Sequence, residues 1–145
     1  MLMIREINEN DYNGLMSLYL HLHDTEIPPF DLARDVWNKI LADENYHIIV
    51  AEENSILVSS CTCVIVPNLT HFVRPYARVE NVVTHPEYRG KGLATACLNF
   101  AKEIAIHENC YNIALLTGSK KESTLKFYEN AGYNRTEKTG FIMWL

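Results

Sequence analysis

The sequence predicts a mixed α/β (α+β) fold, and three observations predict it. β-rich runs over 46–51, Ile56–Val66 and Tyr76–Thr84 follow one another, the first two across a tight polar turn and the last after a proline-bracketed loop, the habit of hairpin-linked strands. Straight after a glycine-containing turn, Leu93, Ala94, Cys97, Leu98, Ala101, Ile104 and Ala105 recur at helical spacing. The 145 residues show no repeat, low-complexity tract or linker, so one domain spanning 1–145 is expected.

The elements follow in order. Residues 1–7 read as a short first strand. Asn10 or Asp11 can cap a helix through Leu15, Leu18, Tyr19 and Leu22. Pro28 and Pro29 break the chain, and Asp31 opens a second helix with Val36, Trp37, Ile40 and Leu41 on its apolar face. Glu53 and Asn54 make a tight turn between the second and third strands. Prolines 67 and 75 bracket a loop before the Tyr76 strand. Residues 111–117 form the next strand. Ser119 and Glu122 have the spacing of a capping box, opening a helix that ends near Gly132. Residues 141–145 are a last strand, with room for one more around Tyr133. The predicted order is β α α β β β α β α β.

Composition narrows the function. A net charge of −5 argues against a nucleic-acid surface. No apolar run approaches the roughly 20 residues that span a bilayer. No basic segment followed by an apolar one opens the chain, so a cytoplasmic protein is expected. Cys61, Cys63, Cys97 and Cys110 contain no C-x-x-C pair. Cys61 and Cys63, two apart, share one face of a strand as reduced packing residues. His21 and His23 are also two apart, which is not the helical spacing of a metal pair, and no metal site is expected.

The chemistry concentrates between Val82 and Thr95, where a strand, a glycine turn and a helix start succeed one another. A helix N-terminus offers unpaired N–H groups and partial positive charge. Gly90 and Gly92 let a ligand approach that backbone. Arg89 and Lys91 add charge, so the turn reads as a diphosphate cradle. The dinucleotide pattern is absent, because position 95 is Thr, and the P-loop pattern is absent too. On the glycines alone, a plain strand–turn–helix connection is the simpler reading.

The wider pattern resolves this. Arg89, Gly90, Lys91, Gly92, Leu93 and Ala94 match R-x-x-G-x-A, and this segment resembles the coenzyme A signature of the GNAT superfamily of N-acetyltransferases. Thr84, His85, Pro86, Glu87 and Tyr88 resemble its strand-to-turn segment. Phe127 and Tyr128, followed by Gly132 and Tyr133, resemble its second signature. Segments around 67–70, 74–77 and 80–83 are further similar to uncharacterised bacterial members. The likeness spans essentially the whole chain. It implies a mixed, mostly antiparallel central sheet of six to seven strands flanked by about four helices. It implies acetyl-CoA as acetyl donor, direct transfer without an acetyl-enzyme, and a small-molecule amine as acceptor. A homodimer is compatible with it. One departure stands out. Where the family often has Asn and Ala at the second helix start, this chain has Lys121 and Thr124.

The resemblance also places the site. Val82, Val83 and Thr84 would offer backbone N–H groups to the thioester and pantetheine arm, from a bulged strand. Arg89, Gly90, Lys91, Gly92, Leu93, Ala94 and Thr95 would bind the pyrophosphate. Tyr128, a phenol with pKa near 10, would pass a proton to sulfur. An amine near pKa 10 must lose a proton before attack. Glu80 leads as the base, ahead of His85, and a water chain is a third route. Glu80, Val82 and Thr84 share a face if no bulge intervenes. His21, His23, Asp24, Glu26, His71, Phe72 and Arg74 are candidates to border the acceptor. A protein or peptide acetyltransferase, an acyl-CoA sensor without turnover and a module for another diphosphate are the competing readings.

Overall fold

In the computed structural model, which describes residues 1–23 and 26–145, five strands form one sheet in chain order. They are β1 (Leu2–Glu6), β2 (Tyr46–Glu53), β3 (Ile56–Val66), β4 (Tyr76–Thr84) and β5 (Ile113–Leu115). The first four pair antiparallel and β5 joins β4 in parallel. Such a parallel pair needs a crossover, supplied here by α4 (Leu93–His107). The β2–β3 hairpin turns on Asn54 and Ser55, at φ 51° and 67°. Two successive left-handed residues suit the right-handed twist of a hairpin. The turn therefore sits one residue beyond the predicted one.

The sheet is covered on both faces. α1 (Tyr12–Tyr19) and α2 (Phe30–Ala42) bury Leu15, Leu18 and Trp37 against Ile48, Val50 and Val83. On the other face, α4 buries Leu93, Cys97, Leu98 and Ala101 against Ile49, Ala51, Val58, Cys61, Cys63 and Val79. α5 (Glu122–Asn130) packs Phe127 and Tyr128 onto that cluster. The alternation of Ile48, Ile49, Val50 and Ala51 between the two cores is the period of two that a strand imposes. Cys61, Cys63 and Cys97 are free and buried on the α4 face, where burial pushes all three thiols up, Cys63 to about 12 and Cys97 to about 11. No described helix is long and apolar enough to cross a membrane.

Four expectations are corrected. The described sheet has five strands, not six or seven. Residues 141–145 pair with no described strand and stand exposed, and residues 134–137 are drawn into a turn on the Asn134 side chain. Asp11 occupies the N-cap of α1 but caps nothing, because Arg5 takes both of its carboxylate oxygens, at 2.7 and 2.9 Å. The capping box at Ser119 does not form. α5 opens at Glu122, whose carboxylate meets the Arg135 guanidinium through two bonds, a stronger partner than a backbone N–H. A fifth helix, the four-residue α3 (Thr70–Val73), was not foreseen. His71, Phe72 and Val73 all have positive φ there (54°, 61° and 57°), a strained arrangement for a β-branched residue such as Val73.

Candidate active site

β4 carries the site, and its irregularity shapes it. Ser60 of β3 pairs with Val83 and Thr62 with Glu80, so Cys61 alone faces both Asn81 and Val82. That is a β-bulge, and Asn81, at φ 52°, absorbs the turn of the chain. Asn tolerates this left-handed conformation better than most residues. The bulge shifts the phase of the strand. Val79 and Val82 both reach the α4 face, while Val83 enters the α1–α2 core. Thr84 bonds Ser59 Oγ at 2.8 Å. Glu80 is exposed and turns to the α1–α2 side, where its carboxylate helps raise the Tyr46 phenol after burial has done so. Glu80 therefore does not share a face with Val82.

The sheet also opens here. β5 pairs with Ala77, Arg78 and Val79 of β4 and no further. From Glu80 to Thr84, β4 has no described strand neighbour on that side, so its outward N–H and C=O groups are left for other partners.

At the end of β4 the chain enters the glycine turn. Gly90 and Gly92 have φ of 75° and 77°, and a Cβ on either would meet nothing within 4 Å. Both are needed for backbone conformation, and the space above them is open. The first bond of α4 runs from Ala96 N to Gly92 O at 3.0 Å. The N–H groups of Leu93, Ala94 and Thr95 precede it, and Gly92 has no side chain to cap them. No acidic residue sits in that first turn. Arg89 Nε donates to Thr84 O at 3.3 Å, and Lys91 Nζ lies 4.8 Å from the centre of the Tyr88 ring. Open backbone, an uncapped helix and two placed cations suit a pyrophosphate.

Tyr128 is held by the way α5 ends. Gly132 N donates to Glu129 O and Tyr133 N to Tyr128 O, at 2.9 and 3.1 Å. This is a Schellman motif, with Gly132 at φ 103° and the Tyr133 ring 6.3 Å from the Tyr128 ring. Tyr128 is half-buried against the α4-face core that includes Cys61, the residue opposite the bulge. Burial, then the nearby Cys61, pushes its phenol above the ordinary value. It stays a proton donor at neutral pH.

His85 is committed elsewhere. Its Nδ1 accepts from Glu87 N at 3.2 Å, capping the 3₁₀ turn Pro86–Tyr88. The neutral ring then carries its proton on Nε2 and has no free lone pair for a base. The acceptor candidates divide. His21 packs its ring on His85, 4.6 Å away, beside a groove of about 470 Å³ that also touches Asn10, Asp11, Ser17 and Glu52. His23 and Glu26 are exposed nearby in sequence, and Asp24 lies outside the described residues. His71 stacks on Tyr111 at 3.6 Å and Arg74 binds the carbonyls of Asn109 and Cys110, just before the opposite end of β4. Nine residues of strand separate the two groups, about 26 Å. They do not form one surface.

Two residues escaped the sequence reading. Asn81, a weak strand former amid Glu80, Val82 and Val83, was a legible sign of the bulge. Tyr19 gave no such sign. Burial pushes its phenol up to about 12, against the pull of Thr62 and Asn81, which places it beside the bulge on the α1 side.

Comparison with known proteins identifies the family. Residues 4–133 match the Acetyltransferase (GNAT) family. Glucosamine 6-phosphate N-acetyltransferase of Trypanosoma brucei brucei is 30% identical over 138 residues, covering 93% of this chain and 90% of that protein. A putative acetyltransferase from Agrobacterium tumefaciens superposes with a TM-score of 0.93 at 38% identity, over 99% of both chains. Glucosamine-6-phosphate N-acetyltransferase from Arabidopsis thaliana, at 19% identity, shares the fold with a TM-score of 0.88 over 99% of both chains. The bulged β4, the open glycine turn and the tyrosine of α5 thus belong to an acetyltransferase of the GNAT family, with acetyl-CoA as its acetyl donor.

Proposed function

We propose that residues 1–145 form one N-acetyltransferase domain that moves an acetyl group from acetyl-CoA directly to the primary amine of a small molecule. The observation that carries this reading is the bulged, half-unpaired β4, with an open cradle at its end and Tyr128 packed on the α4-face core near Cys61, the residue opposite the bulge. The amino-sugar phosphate acetyltransferase of Trypanosoma brucei brucei, 30% identical, supports a small, amine-bearing acceptor.

Each group then has a task. Backbone N–H groups of Leu93, Ala94 and Thr95 hold the pyrophosphate, with Gly90 and Gly92 giving it room and Arg89 and Lys91 balancing its charge. Glu80 takes a proton from the incoming ammonium, directly or through a water. The freed amine nitrogen bonds the acetyl carbon. Those N–H groups of Val82, Val83 and Thr84 that point away from β3 stabilise the charge that develops on the carbonyl oxygen. As the C–S bond breaks, Tyr128 protonates the sulfur; the second proton, lost from the nitrogen as the amide forms, restores the phenol, and the first passes from Glu80 to solvent. Glu80 and Tyr128 lie on opposite faces of the sheet, so the reacting carbon belongs in the gap beside β4, reachable from both.

The test is calorimetric titration of acetyl-CoA into the wild type, Gly92→Ala and Gly92→Glu. Gly92→Ala costs about 1 kcal/mol of stability through its positive φ alone, since its Cβ meets nothing. Gly92→Glu adds a carboxylate to the cradle and should abolish micromolar binding. A folded wild type that binds no acetyl-CoA would overturn the proposal. With binding established, a panel of amines headed by amino sugars identifies the acceptor.

A further inference from the structure

Lys91 sits in the least constrained stretch of the cradle. Gly90 and Gly92 flank it, both at positive φ and with open space where a Cβ would be. Its side chain is exposed, and among the described residues no carboxylate pairs with it. A lysine has more rotamer freedom to lose than almost any other side chain, so a loose Lys91 would weaken its own contact with a diphosphate. It is not loose. Its ammonium lies 4.8 Å from the centre of the Tyr88 ring, within cation–π range.

Tyr88 is itself held. It packs on the α4-face core. The His85 ring meets it edge to face, with centres 5.5 Å apart and planes at 83°. His21, just after α1, meets the His85 ring in turn at 4.6 Å and 66°. These are separations and angles that ring pairs favour. His85 is anchored between them, its backbone N–H donating to Val58 O of β3 at 2.8 Å. The series His21, His85, Tyr88, Lys91 therefore runs round the end of the sheet, from the α1 side to the cradle.

The capping bond does not explain why position 85 is histidine. Nδ1 accepts from Glu87 N across Pro86. That is the i to i+2 bond of an Asx turn, which asparagine makes with a shorter side chain, and Asn-Pro is an ordinary turn opening. What imidazole adds is a ring that touches His21 and Tyr88 together.

We propose that His85 is a positioning residue for the acetyl donor. Wedged between His21 and Tyr88, its ring fixes Tyr88 as a platform and so sets the Lys91 ammonium at the cradle before the diphosphate arrives. This role rests on the pyrophosphate cradle at 89–95 proposed above, and it acts through Lys91.

Calorimetric titration of acetyl-CoA tests it in the wild type, His85→Asn, His85→Phe, Lys91→Met and the double variant His85→Asn with Lys91→Met. His85→Asn keeps the capping bond and loses the ring, and His85→Phe does the reverse. Lys91→Met should weaken binding about tenfold, the scale of one charge-assisted hydrogen bond. His85→Asn should weaken it about three- to fivefold, the scale of an exposed cation–π contact. His85→Phe should bind as the wild type does, although thermal melts should find it less stable than His85→Asn because its cap is gone. In the Lys91→Met background, His85→Asn should cost no further affinity. Affinity that follows stability instead, with His85→Asn binding as the wild type and His85→Phe weakly, would assign the effect to the cap and overturn the proposal. Additive losses in the double variant would overturn it too, and that cycle decides alone if His85→Phe does not fold. Gly92→Glu keeps the two readings apart: a wild type that binds beside a Gly92→Glu that does not upholds the cradle, whichever way the His85 variants fall.

Discussion

Tyr128→Phe removes one oxygen and leaves the ring in place. The ring packs against Phe127 at 5.0 Å and Tyr133 at 6.3 Å, contacts that Phe preserves. Among the described residues the hydroxyl makes no hydrogen bond, so stability should shift by no more than about 0.5 kcal/mol. The lost proton donor should lower kcat by about 10²- to 10⁴-fold, which is about 2.7–5.4 kcal/mol of barrier. Acetyl-CoA affinity should hold, because the cradle at 89–95 is untouched. Burial has raised the phenol above 10, so the donor remains protonated through neutral and mildly alkaline pH. The wild-type kcat should then show no alkaline fall from this group below pH 10. The assay is steady-state release of free thiol with the identified amine, alongside calorimetry and thermal melts. An unchanged kcat in a folded variant would refute the role of Tyr128. A parallel loss of acetyl-CoA binding would show that the hydroxyl holds the coenzyme rather than passes a proton.

Three further outcomes follow from the geometry. Gly132→Ala forces an L residue to φ 103°, and should cost about 1–2 kcal/mol in a thermal or urea melt and lower kcat by loosening Tyr128. Asp11→Asn should cost about 1–3 kcal/mol at neutral pH, because Arg5 loses one of its two carboxylate partners and keeps only Glu52. The hydrogen bonds from Arg5 hold the Asp11 carboxyl below its ordinary 3.8, so its contribution is complete above that pH and is lost as pH falls through the lower, folded value. Urea midpoints of wild type and variant should therefore converge on acidification. In alkylation at mildly alkaline pH, half-exposed Cys110 should react first, while Cys61, Cys63 and Cys97, whose thiols burial pushes up, should wait for unfolding. Mass spectrometry of the labelled peptides checks the order, and fast labelling of Cys61 would contradict it.

Local chemistry made much of this molecule legible in one dimension. The periodicities of β2, β3, β4 and α4 fall where the sequence puts them, since period two and period 3.6 are properties of the chain itself. The glycine turn and its order with Phe127 and Tyr128 pointed to the family, because a ligand-binding backbone needs residues that permit its conformation. Gly132 likewise announced the end of α5. Competition was not legible. Asp11 had the makings of a cap and Glu122 of a capping box, and both went to arginines, Arg5 and Arg135, that only the fold brings close. The bulge at Asn81 sent Glu80 and Val82 to opposite faces, because pairing register with β3, not sequence spacing, decides which way a strand residue points. The acceptor candidates before and after the fold's middle fell at opposite ends of β4 for the same reason. And 141–145, a strand by composition, has no described strand beside it, because a strand exists only when another edge is placed to receive it.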